Sequence, residues 1–236
     1  MYISDASNSY WPARQIWYVM GRLIIALLLL IVLIAINISV GCGLEISTTD
    51  RNVALYVDQA YELYEQGRYD EAIAECDKAI ELDPDFAPAY NNRAAAYIAK
   101  EEGDLAIADC DKALELDPNL VEAYCNRSIV YNRTRRFRLA ITDCNKAIEL
   151  DPTCGLAYHE RGFAYFYRSL WEPAFTDINK AIELGEGDVI TYYNRGWCYK
   201  VQGKKAEAIA DFEKSITLTD DPELIEMAEH QIAILK

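Results

Sequence analysis

The chain has 236 residues, 52% of them hydrophobic, and 23 basic against 38 acidic side chains give a formal net charge of −15. Soluble domains carry about 45–50% apolar residues, so an apolar excess is concentrated somewhere, while 17 Tyr, 6 Phe and 4 Trp argue against a disordered chain. Residues 1–44 hold two arginines against one aspartate, which leaves −16 on residues 45–236; so acidic a domain argues against a nucleic-acid partner, and seven cysteines, an odd number, cannot close a disulfide framework.

In chain order, residues 1–22 form a short segment bearing Tyr10, Trp11, Trp17 and Tyr18, rings suited to a membrane–water interface, together with Arg14 and Arg22. Residues 23–36 are an unbroken apolar run, continued more weakly to Leu44. As a helix, 23–44 rises about 33 Å, enough for a bilayer core of about 30 Å. Arginines precede this stretch, whereas the acids Glu45, Asp50, Asp58 and Glu62 dominate its C-terminal flank. The positive-inside rule therefore predicts a single-pass protein with a cytoplasmic N-terminus and an extracytoplasmic C-terminal domain. An alternative is a signal segment cleaved before Cys42, since Ser39-Val40-Gly41-Cys42 resembles a bacterial lipobox whose cysteine is lipidated. A released, secreted form is the third reading. Residues 45–52 read as a linker.

Beyond the linker the chain repeats. ECDKAIELDP from Glu75, DCDKALELDP from Asp109 and DCNKAIELDP from Asp143 recur every 34 residues, with weaker copies from Asp177 and Asp211. The period defines five units, 53–86, 87–120, 121–154, 155–188 and 189–222, followed by 223–236. Unit position 4 is always tyrosine (Tyr56, Tyr90, Tyr124, Tyr158, Tyr192). Positions 8, 20 and 27 are always Ala, Gly or Ser, which lets helices approach closely. Asp-Pro at 83–84, 117–118 and 151–152 stops the second helix of a unit, and Asp70 and Asp104 are expected to cap its start. Residues 223–236 present Leu224, Ile225, Ala228 and Ile232 on one face and read as a capping helix.

This pattern of small and aromatic positions, with proline at position 32, resembles the tetratricopeptide repeat family across 53–222. Departures are arginine at position 7 (Arg93, Arg127, Arg161, Arg195) and the loss of proline at Glu186 and Asp220. The resemblance implies an all-α, right-handed superhelix of five helix pairs plus the capping helix, whose first helices line a concave groove for a peptide or partner helix. At position 6 stand Asn92, Asn126, Glu160 and Asn194; in the family, asparagine there often holds a ligand backbone, its amide offering donor and acceptor. Position 9 carries Tyr61, Ile129, Phe163 and Trp197, joined by Phe166 and Tyr193. Either these rings form a contact patch, or they pack the superhelix against itself. The basic residues with which other family members clamp a chaperone's terminal carboxylate are not matched.

Catalysis is not expected. Cys76, Cys110 and Cys144 share position 24 with Ile178 and Phe212, a packing position rather than a metal site. Cys125 and His159 fall on adjacent first helices, whose axes are about 8–10 Å apart, too far for a dyad. No phosphate loop, dinucleotide fingerprint or zinc spacing occurs, so no cofactor and no small-molecule substrate is anticipated. The arginines are expected to pair with the acids of position 23, the missing arginine of the first unit (Gln59) favouring the acid of the unit before. The expected function is a membrane-anchored scaffold for protein–protein assembly, with a permanent subunit of a membrane complex, or an assembly lipoprotein lipidated at Cys42, as alternatives.

Overall fold

The computed structural model describes residues 48–236; the N-terminal segment 1–22, the apolar stretch 23–44 and Cys42 lie outside the described residues. Among the described residues no helix is long and apolar enough to cross a membrane. Their regular structure is all α-helical, in eleven helices. Five antiparallel pairs run α1 (Thr48–Glu65) with α2 (Tyr69–Leu82), α3 (Ala87–Ala99) with α4 (Gly103–Leu116), α5 (Val121–Arg133) with α6 (Phe137–Leu150), α7 (Gly155–Tyr167) with α8 (Trp171–Glu183), and α9 (Val189–Val201) with α10 (Lys205–Ile216). A last helix, α11 (Pro222–Leu235), covers α10. From α3 onward each first helix also touches the next first helix, so α3, α5, α7 and α9 form one continuous layer.

Helix α1 begins inside the stretch read as a linker, because Asp50 in its first turn complements the positive end of the helix dipole. The turn inside each pair is built the same way five times. Position 15 adopts positive φ at Gly67, Glu101, Arg135, Ser169 and Gly203, and the next amide reaches back to close the helix, as in Glu102 N–H to Tyr97 O at 2.9 Å beside Glu101 N–H to Ile98 O at 3.1 Å. This closure displaces the expected caps. The second helices start from Arg68 and Glu102, neither with a side-chain cap bond, and Asp70 and Asp104 lie in the first turn, where they meet the dipole instead.

Between pairs, Asp83, Asp117 and Asp151 end the helix in extended conformation. Each carboxylate then accepts the amide two residues on, at 2.8–3.0 Å, to hold the Asp-Pro turn. Where proline is lost after α8, Gly185 at φ 100° takes over, with Glu186 N–H bonded to Ala181 O at 2.8 Å.

The helices pack through the small residues. Ala72, Ala106, Ala140, Ala174 and Ala208 at position 20 are buried, as are the residues at positions 8 and 27. Volume is conserved within each unit. Ala or Ser stands at position 8 where position 24 is Cys, whereas glycine stands there opposite Ile178 and Phe212. A methyl built on Gly162 would lie 3.0 Å from Ile178 Cγ1, and one on Gly196 would lie 2.9 Å from Phe212 Cε1. The cysteines of position 24 are thus core residues, as their helical position implies.

The position-7 arginines pair with the position-23 acids as expected, but within their own unit rather than with the unit before. Arg93, Arg127, Arg161 and Arg195 each grip the position-23 aspartate of their own unit (Asp109, Asp143, Asp177, Asp211) through two N–H groups at 2.6–2.8 Å. The remaining nitrogen donates to position 25 of the preceding unit: Asp77, Asp111, Asn145 and Asn179. Each guanidinium also lies 5.2–5.8 Å from the tyrosine ring three residues before it. The preceding unit is therefore reached, but at position 25 rather than 23.

This packing makes two outcomes testable. Gly196→Ala is expected to destabilise the last unit by about 1–3 kcal/mol through overpacking. In a double-mutant cycle measured by denaturant melts, Phe212→Cys should absorb most of that cost. Arg127→Ala strands the buried Asp143 and should lose about 3 kcal/mol, while Lys146→Ala, which breaks an exposed pair with Glu149, should lose less than about 0.5 kcal/mol.

Candidate functional site

Residues of α1, α3, α5 and α7 line a cavity of about 410 Å³ on the first-helix side of the repeats. Tyr61 and Tyr64 of α1 form one wall; Asn91, Asn92 and Ala95 of α3 and Cys125 and Asn126 of α5 form the middle; Asp151, Cys154 and Leu156 close the far side. Position 9 explains why the space is open here: Ala95 stands where other units carry Tyr, Ile, Phe or Trp. Asn126 Nδ2 donates one hydrogen to Asn91 Oδ1 at 2.9 Å, which leaves its carbonyl oxygen and its second amide hydrogen. Tyr61 is 56% exposed. Glu122 and Asp151 also border the cavity, which favours a ligand carrying positive charge.

Of the residues anticipated for the groove, the cavity brings together Tyr61, Asn92 and Asn126. The other two members of the polar line are buried. Glu160 accepts from Asn132 Nδ2 at 2.7 Å through its carboxylate and at 2.9 Å through its backbone carbonyl. Asn194 lies inside α9 at 4% exposure. The apolar set is engaged in packing: Ile129 against Ala94 and Val130, Phe166 against Ile178 and Cys198 with an edge-on contact to Trp171 at 5.4 Å, and Tyr193 and Trp197 beside Phe212 and Ile232. Phe163 meets the exposed Tyr167 at 4.5 Å between ring centroids. Cys125 contacts Cys154 at 3.5 Å, not His159.

Sequence reasoning missed Asn91, Asn132 and Cys154. Asn91 and Asn132 were hidden because positions 5 and 12 vary from unit to unit. Cys154, the last residue of its unit, carries no periodic signal. Equally unforeseen is a basic pocket in this acidic domain, where Arg135 and Arg136 of the α5–α6 turn and Arg138 of α6 meet Arg168.

The buried network continues through His159. Its Nδ1 lies 3.3 Å from Glu160 Oε1 and its Nε2 3.6 Å from Asp188 Oδ1. Burial disfavours the charged ring, but Asp188 and Glu160 outweigh it and hold the imidazolium up to about 10. Burial likewise opposes the Asp188 carboxylate, yet His159 and Thr191 bring it down to about 2. Asp188 also caps α9, accepting from Thr191 N at 2.7 Å. The arrangement pins α7 to the start of α9, where proline is missing.

Antiparallel helix pairs repeated at 34 residues, with their first helices layered along one open side, define a helical-repeat solenoid. Family profiles described as "TPR repeat" match residues 60–101, and profiles described as "Tetratricopeptide repeat" match 87–120, 121–154 and 189–219, together more than half of the chain. The chain belongs to the tetratricopeptide repeat family. Among solved structures it is similar to the pilF protein of Pseudomonas aeruginosa (TM-score 0.67, 16% identity, 80% of this chain and 90% of that one). It is also similar to a thermophilic TPR protein of Thermus thermophilus (0.61, 18%, 75% and 97%). YrrB, described as a TPR protein with an unusual peptide-binding site, is a third (0.56, 24%, 74% and 90%). At these identities the likeness shows the fold. A curated relative, the Protein SGT1 homolog of Oryza sativa subsp. japonica, is 42% identical over 57 residues, 24% of this chain and 16% of that protein.

The His159 cluster gives a pH signature. The folded-state value of His159 is raised above its ordinary 6.5, so its stabilisation is complete below 6.5 and is lost as pH rises toward about 10. Asp188 is lowered from 3.8, so its contribution is present above 3.8 and is lost toward about 2. The melting-temperature gap between wild type and His159→Asn should be widest between these limits and close at high pH.

Proposed function

We propose that this tetratricopeptide repeat protein is a scaffold for protein–protein interaction whose cavity receives an extended or helical segment of a partner protein. The observation that carries the reading is the open pocket at Ala95, where Asn91, Asn92 and Asn126 stand beside Tyr61 and Tyr64. Amides can hold a ligand backbone while the rings receive an apolar or cationic side chain. YrrB, with the same fold, is described as having a peptide-binding site. Net charge of −16 on residues 45–236, with Glu122 and Asp151 at the rim, selects a neutral or basic segment. Residues 23–44 are proposed as the membrane anchor, with the N-terminus cytoplasmic and the repeats beyond the membrane; lipidation at Cys42 is the competing means of attachment. A permanent subunit of a larger membrane complex is the second functional reading, distinguished by stoichiometric co-purification in detergent.

The test is capture of partners from solubilised membranes by the full chain. Tyr61→Ala is expected to weaken capture by about 2 kcal/mol, as exposed aromatic anchors do, with an unchanged melting temperature. Asn126→Ala should weaken it by about 1 kcal/mol. Trp197→Ala, by contrast, should lower the melting temperature and leave capture at the cavity intact, since the ring packs against α10 and α11. Equal capture by Tyr61→Ala and wild type would move the binding surface away from the cavity.

A further inference from the structure

The cavity holds a chemical feature that peptide binding does not use. Cys125 Sγ and Cys154 Sγ lie 3.5 Å apart, and both residues line the cavity. Cys125 is buried on α5, at 2% exposure, whereas Cys154 is partly open and stands as the N-cap residue of α7. A helix N-terminus favours an anion, so the more accessible sulfur is also the one placed to be a thiolate. The other described cysteines, Cys76, Cys110, Cys144 and Cys198, are all buried. Among the described residues, this pair alone joins an accessible sulfur to a reserve thiol behind it.

We propose that Cys125 and Cys154 form a thiol–disulfide exchange site in the wall of the groove, which takes a low-molecular-weight disulfide and closes into a Cys125–Cys154 bond. The Cys154 thiolate attacks one sulfur of the incoming disulfide; a Cys154–S bond forms, the ligand's S–S bond breaks, and one thiolate departs. That thiolate takes the proton of Cys125. Cys125 Sγ then attacks Cys154 Sγ and expels the second thiolate, which takes a proton from water. Two protein thiols are oxidised and one disulfide is reduced to two thiols. A disulfide bond is about 2 Å long, so the sulfurs need to approach by about 1.5 Å, well within side-chain rotation at the partly open Cys154. Excess low-molecular-weight thiol runs the sequence backward, so the redox poise of the compartment sets the state of the groove.

The electrostatics agree with these roles. The Cys125 thiol, donating its hydrogen, holds Cys154 down to about 7, against burial and the opposing charges of Asp151 and Glu122. Cys125 is pushed up by that same bond, then by burial, with Cys144 and Glu160 acting in the same direction. Burial raises Cys76, Cys110 and Cys198 to about 12, which leaves them unreactive at neutral pH.

The experiment uses the purified full chain, reduced, freed of reductant and incubated with oxidised glutathione. Tryptic mapping without reduction should recover the peptides Ala113–Arg127 and Ala147–Arg161 as one linked species, two hydrogens lighter than their sum. Cys125→Ser should stop at a single glutathione on Cys154, and Cys154→Ser should lose both the link and the adduct. The initial rate should level off above about pH 7 instead of climbing through the ordinary thiol range. The proposal is overturned if glutathione is taken up at Cys42 alone while the two peptides stay separate, if the two serine variants react alike, or if the rate keeps rising past pH 9. Mapping of the wild-type chain needs no substitution, so a variant that fails to fold leaves the decision intact.

Discussion

A guanidinium taken out of water must find a partner for nearly every N–H it carries, and in this chain that demand sets the geometry of four repeats out of five. Each position-7 arginine spends two donors on the aspartate of its own second helix and a third on the second helix of the unit before. The bidentate grip fixes how the two helices of a pair face each other; the single bond fixes how far one pair stands from the next. A tyrosine ring covers the stem side of the charge. Breaking one such contact strands a carboxylate inside, which costs far more than an exposed ion pair contributes. The first unit shows the alternative. With Gln59 in place of arginine, Glu75 keeps only Lys78 on one oxygen, and its Oε2 is buried without a hydrogen-bond partner.

Because the clamps hold the helices in a fixed layer, the shape of the groove is left to side-chain volume. Small residues at Ala95 and Cys125 leave the cavity between α1 and α7. Further along, Glu160, Asn132 and His159 fill the corresponding space with a hydrogen-bonded polar network, and Phe163, Phe166 and Trp197 fill the rest with rings. The two halves of the repeat array thus divide the work. The N-terminal half keeps an open cavity, while the C-terminal half is consolidated by aromatic packing and by α11, whose Ala228 and Ile232 cover Phe212. Ends of repeat arrays need such a cover, since an unpartnered helix face would otherwise meet water.

Turn chemistry shows how one architecture tolerates different sequences. The bend inside each pair demands one residue at positive φ, supplied by Gly67 and Gly203 at the two ends and by Glu101, Arg135 and Ser169 in the middle. Non-glycine residues there carry strain of about 1–2 kcal/mol, which the flanking helix packing and clamps outweigh. Between pairs, Asp-Pro and Gly185 reach the same end by opposite means: proline forbids continuation of the helix, and glycine permits the reversal that closes it.

The sequence by itself determined the elements and their order: a period of 34 residues, the Asp-Pro stops, the invariant small positions and the periodic tyrosines each report a local or nearest-neighbour constraint that recurs, and recurrence makes it legible. The pairing of helices and the core role of Cys76, Cys110 and Cys144 come from that register alone. The features that only the tertiary structure decided depend on residues that do not repeat. The unit that supplies each arginine's position-23 partner does not follow from the register, because that acid recurs in every unit; folding gives the own unit's aspartate two N–H groups and the preceding unit's position 25 the third. Glu160 and Asn194 share a register with Asn92 and Asn126, yet burial separates them, because neighbours such as Asn132 and His159 occur once. Cys154 has no counterpart in any other unit, so only folding, which sets it beside Cys125 across 29 residues of chain, reveals that the two sulfurs share one wall of the groove.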